Sequence, residues 1–160
     1  MIWWVRWPYV DRMTVLRLRP FTPDDAPALA AVWYGSWLST GVSAARTVGV
    51  DELMARVGRE VAAGWLVTVA EADDGMVGFL AVLQASRVLD QLFVSPEWKG
   101  RGVGRLLFAR ATELMPNGFW LKTAATNMEA RTFYERRGMR AIGEERHPVH
   151  GHAVAIYAAG

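Results

Sequence analysis

From Lys99 to Gly104 the chain reads Lys-Gly-Arg-Gly-Val-Gly, and Arg105 follows. Glycines let a backbone come close to a ligand, and free N–H groups at a helix start attract anions. No acid occurs between Lys99 and Arg110, whereas Lys99, Arg101, Arg105 and Arg110 all do. That chemistry suits a diphosphate, with backbone amides as donors and the cations as partners for its oxygens. Taken alone, the glycine triplet serves equally well as a flexible loop with a charged face. Two nucleotide patterns are disfavoured. No Gly-x-x-x-x-Gly-Lys-Ser/Thr string occurs, and a dinucleotide fingerprint would need glycine where Arg105 stands.

Other side chains able to do chemistry are sparse. There is no cysteine, so disulfides, thiolate metal sites and cysteinyl intermediates are excluded. His147, His150 and His152 cluster near the C-terminus, but without a carboxylate signature or cysteines they read as a polar hairpin loop, and no metal is expected. A net charge of +2 gives no reason to expect nucleic acid. The longest apolar stretches fall short of the ~20 residues that a spanning helix needs. The run Met1-Ile-Trp-Trp-Val is broken at once by Arg6, Pro8 and Asp11, unlike a secretory leader. A cytoplasmic protein without membrane partners is the expectation.

The elements that must position the loop follow from punctuation and periodicity. Residues 1–12 hold Trp3, Trp4 and Trp7 without clean periodicity and read as an N-terminal extension; 13–160 read as one domain. Thr14–Arg19 alternates as an edge strand ended by Pro20, and Thr22-Pro23-Asp24-Asp25 is a helix start whose helix runs to about Trp37. Gly41 and Ser43 mark a loop, Val50–Ala62 a second helix and Gly64 its stop. Trp65–Glu71 and Met76–Gln84 form an antiparallel hairpin across an Asp-Gly turn, and Val88–Val94 is a third strand of this group. An amphipathic helix spans Gly102–Met115, followed by a strand at Phe119–Thr123, a helix capped by Asn127 and ending near Gly138, and strands at Met139–Glu144 and Ala153–Ala159.

Two segments in this order resemble the GNAT superfamily of N-acetyltransferases. Leu92-Phe93-Val94-Ser95-Pro96-Glu97, followed by Lys99–Gly104, is similar to its strand and Gln/Arg-x-x-Gly-x-Gly/Ala cofactor loop, with Lys99 in place of Gln or Arg. Asn127-x-x-Ala130-Arg131-x-Phe133-Tyr134, ending in Gly138-Met139, resembles the Asn-x-x-Ala-x-x-Phe-Tyr-x-x-x-Gly-Phe signature. The motif-level match covers roughly residues 88–140.

The resemblance implies an α/β (α+β) fold with a mixed, mostly antiparallel sheet of six to seven strands flanked by about four helices. It implies an acetyl-CoA-dependent N-acetyltransferase acting on a primary amine of a small molecule or peptide by direct attack in a ternary complex. A non-catalytic acyl-CoA-binding regulatory module is the alternative. Leu92, Phe93 and Val94 would bond the pantetheine arm, and Lys99, Gly100, Arg101, Gly102, Val103, Gly104 and Arg105 would hold the diphosphate. Asn127 and Arg131 would complete the cofactor site. Tyr134 matches the tyrosine that donates a proton to the departing thiolate, which a phenol of pKa near 10 can do at neutral pH. An attacking amine must shed a proton, and Asp90, an acid on the strand leading to the cofactor residues, is the candidate base. Trp33, Tyr34 and Trp37 fall where the acceptor pocket belongs. The family resemblance leaves a homodimer open.

Overall fold

Pro20 closes β1 (Arg17–Pro20) at the edge of the sheet, where a missing N–H is tolerated. The structure is a computed structural model that describes residues 14–40, 48–73 and 75–159, so the extension proposed for residues 1–12 and the loop at Gly41 and Ser43 lie outside the described residues. Pro23–Asp25 forms a single 3-10 turn that runs into α1 (Ala26–Thr40). Thr22 and Asp25 hold this start together. The Asp25 carboxylate reaches back 2.8 Å to the Thr22 N–H, and the Thr22 hydroxyl itself donates to that carboxylate at 3.3 Å. Arg19 joins Asp25 and Glu71 at 2.8 Å each, tying β1, the helix start and the next strand together and holding the Asp25 carboxyl down at about 2.

α1 runs past Trp37 to Thr40 because the hydroxyls of Ser39 and Thr40 fold back onto the carbonyls of Ser36 and Trp37, at 2.7 and 2.8 Å. α2 (Val50–Ala62) is followed by Gly64 at φ +122°, a conformation open to glycine. β2 (Leu66–Ala72) and β3 (Gly75–Leu83) pair antiparallel from Leu66↔Val82 to Ala72↔Gly75. Then come β4 (Val88–Val94), α3 (Val103–Leu114), β5 (Trp120–Ala124), α4 (Met128–Glu135), β6 (Met139–Arg146) and β7 (Ala153–Ala159). One seven-stranded sheet results, in the order β1-β2-β3-β4-β5-β7-β6, and only β4 and β5 run parallel.

Strand alternation feeds two apolar layers. Phe79 and Ala81 of β3 pack with Leu29, Trp33, Leu53 and Val57 of α1 and α2. Leu80 and Val82 pack on the other face with Leu107 and Ala111 of α3 and Tyr134 of α4. Wholly buried side chains such as Leu29, Leu107 and Phe79 each contribute about 2 kcal/mol of burial free energy, which presses the helices onto the sheet. Gly78 is required by this packing: a Cβ there would stand 2.8 Å from the Phe93 carbonyl oxygen and 3.1 Å from Val103. Among the described residues no helix is long and apolar enough to cross a membrane.

Candidate active site

The site begins where β4 loses a neighbour. On one side β4 pairs with β3, but the register passes from Ala81↔Gln91 to Val82↔Leu89 and skips Asp90, a bulge that bends and twists the strand. On the other side β4 meets β5 only at Val88↔Trp120, while the far edge of β5 pairs with β7 along its whole length. The edge of β4 beyond Val88 therefore has no ladder partner on that side.

That open edge leads to the glycine loop. Ser95 N–H closes onto the Val77 carbonyl at 2.8 Å, and Pro96–Trp98 makes one 3-10 turn. Gly100 and Gly102 then take φ of +75° and +90°, so the backbone can swing into α3. The first helical bond runs from Leu106 N–H to the Gly102 carbonyl at 3.1 Å, and no side chain caps the helix. The N–H groups of Val103, Gly104 and Arg105 are thus left for an outside acceptor, with the positive end of the helix dipole behind them. Gly104 also allows α4 to close in, because a Cβ there would meet the Phe133 ring at 3.0 Å.

Strand edge, loop and α4 enclose a cavity of about 350 Å³. Its walls bring together Leu92, Phe93, Val94, Lys99, Gly100, Gly102, Gly104, Arg105, Asn127 and Tyr134, all singled out by sequence. Asn127 Oδ1 accepts the Ala130 N–H at 3.1 Å, so the oxygen caps α4 while the amide NH2 makes no hydrogen bond among the described residues. Tyr134 is 7% exposed, and its hydroxyl likewise bonds to no described residue. Burial pushes the phenol well above its ordinary pKa; Arg137 only partly offsets this. Tyr134 therefore lines the cavity with its phenol held in the protonated form.

Other expected residues lie elsewhere. Val103 buries its side chain in the core and faces the loop only through its N–H. Arg101 stacks its guanidinium 5.0 Å from the centre of the Trp98 ring and does not line the cavity. Arg131 also stays out of the cavity: its Nε donates to the Tyr157 hydroxyl and its Nη1 to the Ala125 carbonyl, both at 2.9 Å. Tyr157 in turn donates to Glu135 at 2.6 Å, so Arg131 anchors α4 to the sheet on the side away from the cavity. Asp90 accepts the Trp65 indole N–H at 2.8 Å and does not line the cavity. Trp33 is fully buried among Trp37, Trp65, Phe79 and Phe93, with its indole N–H unbonded, while Tyr34 and Trp37 are half-buried against the same layer. The three histidine rings stack, with His147 centred 4.8 Å from His150 and 4.9 Å from His152; the described residues contain no cluster arranged to hold a metal.

Two contributors were missed by sequence reasoning. Ser36 of α1, 2% exposed, donates at 2.7 Å to the Val94 carbonyl and so occupies one group of the open β4 edge. Its signal was a lone hydroxyl on the Leu29, Trp33, Ser36 stripe, the helical i, i+4, i+7 face. Glu129 of α4 pairs with Lys99 at 3.2 Å, and Lys99 Nζ also reaches Ser39 Oγ at 3.4 Å. The lysine that departs from the usual motif thereby ties the loop to both α1 and α4.

Residues 44–153 match the family model of the acetyltransferase (GNAT) domain. The chain belongs to the GNAT acetyltransferases. The expected fold and the expected enzyme class, an acetyl-CoA-dependent acetyltransferase, stand with that membership. Over 131 residues, 81% of this chain and 86% of the relative, it is 29% identical to the peptidyl-lysine N-acetyltransferase YjaB of Salmonella typhimurium. Solved structures share the fold. A GCN5-related N-acetyltransferase from Rhodopseudomonas palustris superposes with a TM-score of 0.72 at 23% identity, covering 90% of this chain and 94% of that one. The PaiA N-acetyltransferase from Thermoplasma acidophilum, in complex with coenzyme A, gives 0.69 at 19% identity, covering 89% and 98%.

Proposed function

We propose that the chain transfers the acetyl group of acetyl-CoA directly to a primary amine of a small molecule or peptide, with both substrates bound together. The observation that carries this reading is the continuity of the open β4 edge with the uncapped N-terminus of α3 inside one cavity. An extended amide-bearing arm fits the first, and a diphosphate fits the second. Bound acetyl-CoA supplies a thioester whose carbonyl carbon an amine can attack, forming a C–N bond as the C–S bond breaks. Leu92 and Val94 offer backbone groups to the arm, the Val103, Gly104 and Arg105 amides hold phosphate oxygens, and Asn127 offers its NH2. Tyr134 points a protonated phenol at the end of the arm. Its raised pKa suits it to hydrogen-bond the developing thiolate rather than to give up its proton fully.

The amine must lose a proton as it attacks. Glu129 is the only carboxylate on the cavity wall among the described residues, and it is paired with Lys99. Asp90 is held by Trp65 away from that wall, so its service as base requires a water relay. The resemblance to a peptidyl-lysine N-acetyltransferase puts protein lysines first among acceptors to test. Purified protein is to be incubated with acetyl-CoA and a panel of lysine peptides and small amines, with thiol release followed. Acceptor-dependent release is expected; tight binding of CoA without release on any amine would favour the non-catalytic alternative.

A further inference from the structure

Beside the cavity stands a group of cations that no carboxylate answers among the described residues. Arg136 and Arg137 follow α4, and with Arg105 of α3 they line a second, more open hollow that adjoins the first at Gly100, Phe133 and Arg137. Arg137 is fixed in place: its guanidinium carbon lies 3.5 Å from the centre of the Phe133 ring, and its Nη1 donates to the Phe133 carbonyl at 2.8 Å. None of the three arginines forms an ion pair among the described residues. The one acid on the rim, Glu129, is paired with Lys99.

Burial, and then repulsion from Arg105 and Arg136, disfavours the charged form of Arg137. Three like charges held together without a counter-ion oppose folding, and an anion seated among them removes that cost. Apart from the Nη1 bond to Phe133, the stacked guanidinium makes no hydrogen bond among the described residues, and its remaining edge N–H groups can meet a phosphate monoester. The hollow borders the loop that would hold a diphosphate, and it lies on the α3 and α4 side of the sheet, away from α1 and α2. Thr132 adds a hydroxyl to its wall.

We infer that Arg136 and Arg137, with Arg105, form a second anion site that takes the 3′-phosphate monoester of the acetyl donor, making the enzyme selective for CoA over dephospho-CoA. The inference rests on the reading of acetyl-CoA as donor. An acidic group on the acceptor would offer similar chemistry, and the two sources separate on whether removing the 3′-phosphate alone changes affinity.

The test is calorimetric titration of the full chain with CoA and with dephospho-CoA. The wild-type protein is expected to bind CoA about tenfold or more tightly, with the preference shrinking as salt rises. Arg136→Gln, at an exposed position, is expected to cut that ratio several-fold, and Arg136→Gln with Arg137→Gln to bring it to about one. Should the double variant misfold, the single variant decides. Equal affinities in the wild type, or variants that weaken both ligands in parallel, overturn the site. Binding of neither ligand would instead refute the donor reading, and the inference with it.

Discussion

Tyr134→Phe removes one oxygen and leaves the ring where it is. The phenyl group still packs against Phe133, Phe108 and Tyr157, whose ring centres lie 5.3, 6.3 and 6.4 Å away. The lost hydroxyl has no partner among the described residues, so no donor or acceptor is orphaned and stability is expected to change by less than about 0.5 kcal/mol. Catalysis is affected differently. A hydrogen bond to a charged group contributes about 1.5–3 kcal/mol, so losing it at a developing thiolate lowers kcat about 10- to 150-fold. The same contact does not exist before the C–S bond stretches, and KM for acetyl-CoA is therefore expected to stay within about twofold. Because burial raises the phenol above its ordinary pKa near 10, wild-type kcat is expected to show no alkaline limb from this group between about pH 6 and 9. Steady-state thiol release on the best acceptor, read across that range, measures all three. An unchanged kcat, or a loss confined to KM, would refute the role of Tyr134.

Gly78→Ala forces a Cβ to within 2.8 Å of the Phe93 carbonyl and 3.1 Å of Val103, so β4 or α3 must shift; urea melts are expected to show a loss of about 1–3 kcal/mol, with weakened CoA binding. Unchanged stability would contradict the close packing of strand and helix. Tyr157→Phe breaks the link between Arg131 and Glu135, and is expected to lower the melting midpoint by about 2–4 °C and to reduce kcat by loosening α4. In the β6–β7 turn, His147 Nδ1 accepts the N–H groups of Val149 and His150 at 3.2 and 3.1 Å, and a proton on that nitrogen breaks both bonds. Burial, then His152, His150 and Arg56, lower the His147 pKa from 6.5 against the opposing pull of Glu145. Its contribution is therefore fully present above pH 6.5 and is lost as pH falls through the lower folded value. Protection factors at Val149 and His150, which divide out the base catalysis of exchange, are expected to fall on acidification; equal protection at both ends of the titration would exclude the coupling.

Elements bounded by strong punctuation were legible from residues alone. α2 and β4 fall at Val50–Ala62 and Val88–Val94 as expected, since Gly64 ends the one and Ser95-Pro96 the other. Asn127 as the cap of α4 was legible from its place before a helix, whereas the ligand of the glycine loop and the part of Tyr134 came from the family resemblance rather than from local pattern. Roles that depend on distant partners were not. Ser36 meets Val94 across 58 positions, and Asp90 meets Trp65 across 25, so neither pairing leaves a local pattern. Arg131 shares the helix of Asn127 and Tyr134, yet its partners are Tyr157 and the Ala125 carbonyl rather than the cavity. Trp33 was expected at the acceptor pocket, but an aromatic at helical spacing looks the same whether it lines a pocket or fills a core, and its complete burial places it in the core.

Whether the open β4 edge and the uncapped start of α3 receive the acetyl donor is most directly tested by titrating 15N-labelled protein with acetyl-CoA and following backbone amides. Saturable shifts are expected at Leu92, Val94, Gly100 and Val103–Arg105 and at the Asn127 side-chain NH2, with β6 and β7 little changed. Saturation with shifts confined to other surfaces, or no shift at millimolar ligand, would contradict the account.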